Sequence, residues 1–217
     1  MLAKRALLSL NDFMNSHQSL SSKLTLVVIG RSGSGKGTQA QFMLHRLGKG
    51  AYHIETGRFL REMLTHENPT TLLARKIMKT GGLFPSWFGA FAWLRELIER
   101  GHGGDQLVFD GAPRKIEEAK LMDDVMKWHG RQLPFCIYVD VPEKEASKRL
   151  LARGRDDDHA AAIANRMKFF KTDVLPVIAF YRDKHRLIHV DGQRSIKDVW
   201  QEIDSKLAIH FKALWRS

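Results

Sequence analysis

The sequence predicts an α/β fold of three layers, in which a five-stranded parallel sheet carries helices on both faces. Five short apolar runs alternate with longer segments of helical periodicity, an alternation typical of parallel strands joined by crossover helices. The runs are apolar on both faces, as buried parallel strands are. With 217 residues, the chain is long enough to bury one full core, so we expect a single domain.

Each predicted strand is followed by at least one helical segment. The strands are expected at residues 24–29, 51–54, 106–109, 135–139 and 187–190. The helices are expected at residues 36–47, 57–66, 69–80, 86–100, 115–128, 143–152, 160–184 and 195–214. Pro85 and Pro142 stand where helices begin, because a missing N–H costs nothing in the first turn. Pro176 falls inside the long helix at 160–184 and is expected to kink it.

Residues 1–23 precede the first strand and are expected to form a disordered N-terminal extension, with the domain at 24–217. The apolar segment ALLSL is too short for a signal-peptide core. With Lys4 and Arg5 it faintly resembles an organelle transit peptide, although a frayed helix or disordered tail is the preferred interpretation, and Met14 is an alternative start. No stretch of 18 apolar residues occurs, so we expect no membrane span and a cytoplasmic location.

Composition narrows the function classes. The only cysteine, Cys136, excludes an internal disulfide and a Cys-based zinc site, and its apolar surroundings PFCIYVDV indicate a small buried residue. The ten histidines show no metal-binding spacing. A formal net charge of +11 favours polyanionic partners, among which nucleic acid, anionic membrane and nucleotides all qualify.

The stretch GRSGSGKGT, residues 30–38, is predicted to be a phosphate-binding loop. It follows a predicted strand and opens a predicted helix, with the spacing Gly30-x4-Gly35-Lys36. Successive N–H groups can form an anion nest there, and the helix N-terminus adds partial positive charge. Lys36 is then placed to bridge the β- and γ-phosphates of a nucleoside triphosphate.

The residue after the lysine is Gly37, which offers no hydroxyl oxygen to Mg²⁺. A carboxylate acting through water can take over, since Mg²⁺ keeps several waters and takes few protein ligands. Asp110 ends the predicted strand in LVFDGAPR and is the candidate for that carboxylate.

Six stretches resemble, in order, the signatures of the adenylate kinase family of nucleoside monophosphate (NMP) kinases, over about residues 24–209. They are GRSGSGKGTQA, HIETGRFLRE, TGGLFP, FDGAPR, RLLARGRDDD and IANRMKFF…VLPVIAFY. The resemblance implies a P-loop NTPase fold and reversible phosphoryl transfer from MgATP to a nucleoside monophosphate. It also recasts the pair Gly37-Thr38 as the family's own version of the loop.

The resemblance implies roles for particular residues. The ATP phosphates are expected at Gly33, Ser34, Gly35, Lys36, Gly37 and Thr38, and the ATP adenine at Arg149, with Arg153 also on ATP. The monophosphate is expected at Thr56, Arg61, Gly82, Phe84, Gly111, Arg114 and Glu118, with Arg155 and Arg166. The catalytic set is Lys36, Arg114, Arg153, Arg155, Arg166 and Asp110, the last holding Mg²⁺ through water. Seven of these residues are cations. Binding of nucleotide phosphates would therefore explain much of the positive net charge, and no nucleic-acid partner is needed to explain it.

Two smaller segments of the family pattern can be placed as well. The monophosphate-binding insertion corresponds to about 55–84, and the lid to about 153–158. Only one residue separates Arg153 from Arg155, so this lid is shorter than the family's usual short form and has no cysteines for zinc. Asp157 and Asp158 match paired acidic positions that orient the lid arginines, and they also suit a helix N-terminus.

Three positions depart from the family pattern. Arg58 replaces an acid near the metal's water shell, and it either weakens Mg²⁺ placement or turns to solvent. Ala112 replaces a phenylalanine, leaving space for a neighbour to fill and leaving open whether the family's cis peptide before Pro113 is kept. Glu118 replaces an adenine-reading glutamine.

Glu118 leaves the choice of base open. A glutamine accepts from the adenine amino group and donates to the ring nitrogen, whereas an ionised glutamate only accepts. Guanine presents two adjacent donors that suit a carboxylate. Thr56 favours AMP, because pyrimidine-specific members of the family tend to carry alanine there. We favour AMP, with GMP or a broad-specificity NMP kinase as the alternative.

Two other function classes fit parts of the sequence. A nucleic-acid-binding protein needs a basic stripe with exposed aromatics, but Trp87 and Trp93 are predicted to be core residues. A non-catalytic nucleotide-binding relative is suggested only by Arg58, Ala112 and Glu118. The expected partners are therefore small nucleotides, with no nucleic acid and no membrane, and the expected state is a monomer.

Overall fold

The computed structural model describes residues 23–100 and 106–215. The predicted extension lies outside these residues except for Lys23, and so do the transit-peptide and start-site interpretations. Five strands form one parallel sheet in the order β2-β3-β1-β4-β5. They are β1 (Thr25–Ile29), β2 (Ala51–Glu55), β3 (Gln106–Asp110), β4 (Phe135–Asp140) and β5 (Leu187–Asp191). The predicted five-stranded parallel sheet is confirmed, each strand within one residue of its expected bounds.

The helices follow the predicted segments closely. They are α1 (Lys36–Leu47), α2 (Thr56–Met63), α3 (Pro69–Lys79), α4 (Ser86–Arg100), α5 (Ile116–Trp128), α6 (Glu143–Arg153), α7 (Ala160–Phe169), α8 (Leu175–Asp183) and α9 (Ile196–Phe211). Local signals set several starts. Asn68 caps α3 by accepting the N–H of Thr71 at 3.0 Å, and Pro69 follows at the first helical position.

Helices cover both faces of the sheet, because successive strand residues point to opposite sides. Val27 belongs to the core on one face, with Trp93 of α4 and Tyr181 of α8. Val28 belongs to the core on the other face, with Met43 of α1 and Ile203 of α9. The three-layer arrangement is confirmed.

The prediction that all strands are apolar on both faces is wrong for the two edge strands. Every residue of β1 is buried, but in β2 only Ile54 is fully buried. In β5 the buried residues Ile188 and Val190 alternate with exposed ones. An edge strand has one neighbour and incomplete helix cover, so one of its faces meets solvent.

The predicted single helix at 160–184 is interrupted. A π-helical turn at Phe170–Val174 separates α7 from α8, and the Leu175 N–H reaches back to the carbonyl of Phe170. Pro176 has no N–H to donate to the preceding turn, so the ladder shifts register just before it. The disturbance expected from Pro176 is present, and it takes the form of a π-helical turn just before the proline.

One tryptophan expected in the core is exposed. Trp93 is fully buried, as predicted, but Trp87 at the start of α4 is 66% exposed. Both lie on the same helix six residues apart, which places them on different faces at 3.6 residues per turn. Within the described residues, no helix is long and apolar enough to cross a membrane.

Ala112 lies in the core beside the cis peptide that joins it to Pro113. Phe170 and Val174 of the π turn belong to the same cluster and line a cavity of about 20 Å³ next to Ala112. That volume holds about one water molecule. The aromatic π turn has therefore filled most of the space that a larger residue at position 112 would need.

We expect Ala112→Phe to destabilise the protein, although phenylalanine is the usual residue of the family motif. The ring cannot fit a cavity of about 20 Å³, and overpacking a dense core costs about 1–3 kcal/mol. Urea unfolding measures the change. Ala161→Phe, on an exposed position of α7, is the matched control and should change stability by about 0.5 kcal/mol or less. Equal stability of Ala112→Phe and the wild type would contradict the packing argument.

Candidate active site

A cleft of about 770 Å³ opens at the carboxyl ends of the strands, beside the loop that follows the central strand β1. Ligands of open α/β sheets bind at this edge, where strand order reverses. All seven cations singled out in the sequence line the cleft. They are Lys36, Arg61, Arg114, Arg149, Arg153, Arg155 and Arg166.

The loop at 30–38 has the conformation that its glycines permit. Gly33 and Gly35 adopt φ values of +85° and +90°, which side chains rarely allow. A Cβ at Gly33 would lie 2.4 Å from the carbonyl oxygen of Ala146 in α6. The loop therefore packs closely on α6 and ends at the N-terminus of α1, where free N–H groups attract an anion.

Ser34 lies inside this loop rather than on the cleft surface. Its side chain is buried, and its hydroxyl has no hydrogen-bond partner among the described residues. An unpaired buried hydroxyl is costly, so a phosphate oxygen or a water would stabilise it. Gly33, Gly35, Gly37 and Thr38 line the cleft directly.

The structure supplies a physical reason for Gly37. A Cβ at that position would lie 3.2 Å from the Asp110 Oδ2 atom. The Asp110 carboxylate therefore stands next to the space that a hydroxyl side chain would occupy. One carboxylate at this place suits an ion that keeps most of its water ligands. Within the described residues, no group of three or more His, Cys, Asp or Glu could hold a metal ion.

Lys36 is held inside the loop and has a perturbed pKa. Its Nζ donates to the Arg31 carbonyl oxygen at 3.0 Å. Burial lowers the pKa of Lys36 to about 8, against an opposing effect of Asp110. Three arginines of the cleft, Arg114, Arg153 and Arg166, lower it further. The cleft thus concentrates positive charge that a bound polyanion would relieve.

Asp158 binds two arginines of the cleft through their side chains and a third through its backbone. Arg153 donates to both of its carboxylate oxygens at 2.8 Å, and Arg166 donates to Oδ1 at 2.7 Å. The Arg155 N–H reaches Oδ2 at 3.3 Å. Burial alone would raise the pKa of Asp158, but the hydrogen bonds from Arg153 and Arg166 outweigh it and lower the pKa to about 2. Arg166 also pairs with Asp157.

The residues expected to bind the monophosphate lie around the end of β3. Arg114 Nε donates to the Gly111 carbonyl oxygen at 2.7 Å, and Thr56 Oγ1 donates to the Asp110 carbonyl oxygen at 3.0 Å. Arg61 pairs with Glu55 at 2.9 Å. Gly82 and Phe84 line the cleft, whereas Thr56 and Glu118 are buried beside it and do not line it.

Arg58 is exposed, as one of the two alternatives expected, and it also contacts a carboxylate of α4. Its guanidinium lies 3.5 Å from Glu96, a buried carboxylate of α4 that also accepts the Tyr52 hydroxyl at 2.9 Å. The guanidinium of Arg58 is thereby paired with α4.

Sequence reasoning missed Arg31. Its Nη1 donates to the Val141 carbonyl oxygen at 2.9 Å and to Asp140 at 3.3 Å. Its guanidinium lies over the Phe170 ring, 4.3 Å from the centroid. Arg31 thus ties the loop to β4 and to the π turn. The only signal in the sequence was a cation within a loop of small residues.

His53 of β2 was also missed. It lines the cleft, its Nε2 is buried without a partner among the described residues, and burial lowers its pKa. His53 begins the stretch HIETGRFLRE, but the resemblance implied no role for it.

Comparisons with known proteins agree with this geometry. Residues 28–186 match the family model described as "Adenylate kinase". The chain is 29% identical to adenylate kinase 1 of Nostoc sp. over 84% of its own length and 97% of that protein. It is 30% identical to an adenylate kinase of Azobacteroides pseudotrichonymphae over 85% and 97%, and 32% identical to one of Mycobacterium sp. (strain MCS) over 82% and 95%.

Proposed function

The chain belongs to the adenylate kinase family of nucleoside monophosphate kinases, and from this premise we propose that it transfers the γ-phosphoryl group of MgATP reversibly to AMP, giving two ADP. One observation carries the proposal: seven cations from distant parts of the sequence line a single cleft beside a phosphate-binding loop. The curated relatives with which it aligns over most of its length are named adenylate kinases.

We assign the loop half of the cleft to ATP. The N–H groups of residues 33–38 and Lys36 would hold the phosphates. Arg149 would flank the adenine from α6, where it is held by Glu145 at 2.8 Å and by the Gly192 carbonyl at 3.1 Å. When bound, Mg²⁺ would neutralise phosphate charge, and Asp110 would hold it through water.

We assign the other half to the monophosphate. Arg61 and Arg114 would bind its phosphate, and Gly82 and Phe84 would line the nucleoside. The phosphate oxygen of AMP is already an anion, so no proton has to be removed before it attacks the γ-phosphorus. A P–O bond then forms in line as the bond to the β,γ-bridging oxygen breaks. The protein's task is to position the reactants and to offset charge.

The arginines held by Asp158 would supply much of that charge compensation. Arg153 and Arg166 share one buried carboxylate, so their guanidinium groups are oriented before a nucleotide binds. Such preorganised donors stabilise developing charge without the cost of rearranging during the reaction. Arg155 is exposed and would close over the phosphates with the short lid.

The domain division is part of the same proposal. Phe59, Leu60, Ala74 and Phe84 of the proposed insertion at about 55–84 pack with Phe88 and Ala92 of α4 in a small core separate from the main one. The proposed lid at 153–158 contains Gly154, which lies in the left-handed region. We further propose a monomer in the cytoplasm. The buried Cys136, whose thiol pKa is raised by burial, fits a reducing compartment.

Steady-state rates with AMP, GMP, CMP and UMP at saturating MgATP test the proposed substrate. We expect kcat/KM for AMP to exceed that for the other three by at least about ten-fold, because a site that hydrogen-bonds one base leaves polar groups unpaired with another. Faster turnover of GMP than of AMP would contradict the assignment. Absence of phosphoryl transfer to all four would contradict the proposed function.

A further inference from the structure

The carboxyl-terminal end of α3 lies against the first turns of α7. His159, the N-cap of α7, brings its Nε2 atom to 2.9 Å from the Lys79 carbonyl oxygen. Asn165 of α7 donates from Nδ2 to the Thr80 carbonyl oxygen at 2.8 Å. Two side chains thus join the end of the proposed monophosphate-binding insertion to the helix that follows the proposed lid.

These two bonds complete the C-terminal cap of α3. A helix leaves its last carbonyl groups without an intrahelical partner. The two glycines that follow α3 donate to the carbonyl oxygens of Met78 and Ile77, at 3.0 and 2.9 Å. The carbonyl groups of Lys79 and Thr80 come next, and their donors lie 80 and 85 positions away in the chain. Part of the cap of α3 is therefore supplied by α7.

Gly81 brings the backbones of the two segments into close contact. Its φ is +66°, in the region that favours glycine. A Cβ at this position would lie 2.3 Å from the Ala162 carbonyl oxygen of α7. A side chain at position 81 would therefore push the end of α3 away from α7, and only glycine permits the contact that the two hydrogen bonds make.

His159 caps both helices at once. Its Nδ1 accepts the Ala162 N–H at 3.3 Å at the start of α7. A carbonyl oxygen only accepts, so Nε2 carries the proton that is donated to Lys79. The two roles can be separated by substitution. Asparagine is also a good N-cap residue, but its side chain is shorter than that of histidine and ends before the position of Nε2.

The joined segments carry residues from both sides of the reaction. Gly82 directly follows the contact and lines the cleft, and Arg61 of the same insertion lines it as well. Arg166 is next to Asn165 in α7 and lines the same cleft from the other segment. A movement of the insertion relative to α7 would therefore change the distance between Arg61 and Arg166.

Resting on the proposed function, we propose that His159 and Asn165 are positioning residues for the monophosphate: they hold the insertion on α7, where its lining residues and Arg166 face one substrate. Neither side chain lines the cleft itself, so both act through the position of other residues. When either bond is lost, the insertion spends less time in this position, and the apparent affinity falls with the fraction that is competent to bind. ATP, assigned to the loop at 30–38 and to α6, is not affected.

Calorimetric dissociation constants for AMP and for MgATP test this inference in Asn165→Ala and His159→Asn. We expect the constant for AMP to rise by about three-fold to ten-fold in each variant, as for one lost hydrogen bond, and that for MgATP to stay within about two-fold. Lys168→Ala, at an exposed position of α7, is the matched control and should bind both nucleotides like the wild type. An unchanged AMP constant in either variant, or an equal rise for both nucleotides, would overturn the inference.

Thermal unfolding shows whether the variants are folded when binding is measured. His159 and Asn165 are both exposed, and His159→Asn keeps a cap on α7, so the midpoint should fall by about 4 °C or less. In steady-state rates, the KM for AMP should rise with the dissociation constant, while the KM for MgATP should not. A role in folding alone would not separate the two nucleotides.

The same measurements distinguish this inference from the proposed function. A selective loss of AMP binding in the variants, without phosphoryl transfer in the wild type, would refute the proposed function and support the positioning role. Transfer to AMP by the wild type, with equal AMP affinity in the wild type and the variants, would do the reverse. Failure of the wild type to bind AMP would overturn both.

Discussion

Replacing Lys36 by methionine is expected to lower kcat by at least about 10³-fold, because in the proposed function its ammonium would bridge the β- and γ-phosphates of ATP. Methionine has a similar length and is apolar, so it can pack where the half-buried lysine stem lies. The measurement is the rate of ADP formation from MgATP and AMP at saturating concentrations of both.

Two controls separate this effect from unfolding. Lys197→Met, at an exposed lysine of α9 that does not line the cleft, should leave kcat within about two-fold of the wild type. Thermal unfolding of Lys36→Met should show no loss of stability, because burial already lowers the pKa of this lysine to about 8 and the charge is costly to bury. Unchanged turnover in Lys36→Met would refute the assignment of the loop.

Asp158→Asn is expected to lower both stability and activity. The carboxylate is fully buried and pairs with Arg153 and Arg166. Removing the negative charge leaves two guanidinium groups without their counter-ion. Removing one partner of a buried ion pair costs about 3–5 kcal/mol of stability. We expect the loss of stability to lie near the lower end of this range, because Arg166 keeps its ion pair with Asp157. Because the two arginines would no longer be held in a fixed orientation, kcat should fall by about 10²-fold or more.

The pH dependence provides an independent readout for Asp158. Its pKa in the folded chain is about 2, below its ordinary value. Such a group contributes stability that is present above the unfolded pKa and is lost as the pH falls through the folded value. Denaturant unfolding between about pH 5 and pH 2 should therefore show a steeper loss in the wild type than in Asp158→Asn.

Asp156→Asn is the matched control for these measurements. Asp156 is exposed and lies two residues from Asp158, so its neutralisation should change stability by about 0.5 kcal/mol or less. Equal stability and kcat in Asp158→Asn and Asp156→Asn would show that the shared carboxylate does not hold the lid arginines.

The sequence was most informative where structure depends on neighbouring residues. The loop at 30–38 could be identified from its glycines, its lysine and the strand before it, because each acts through the local backbone. The strands were placed within one residue, since apolar runs bounded by turn residues determine where a chain can be buried. Trp87 was misplaced because periodicity alone does not say which helix face is covered.

Contacts between residues that are far apart in the chain could not be predicted from the sequence. The sequence suggested that Asp110 replaces a missing hydroxyl, but only the structure shows its carboxylate beside Gly37. These residues are 73 positions apart and meet because β1 and β3 are adjacent in the sheet. The same holds for Arg31 over Phe170, which joins residues far apart in the chain.

The sequence by itself determined the fold class, the phosphate loop and the chemical character of the cleft, because spacing, glycine content and charge are properties of the chain. Only the tertiary structure decided the environments of particular groups: the burial that lowers the pKa of Lys36, the shared carboxylate of Asp158 and the pocket at Gly89 that encloses Glu118. A pKa and a hydrogen-bond partner depend on which surfaces meet, and those surfaces come together only when the sheet and its helices have packed.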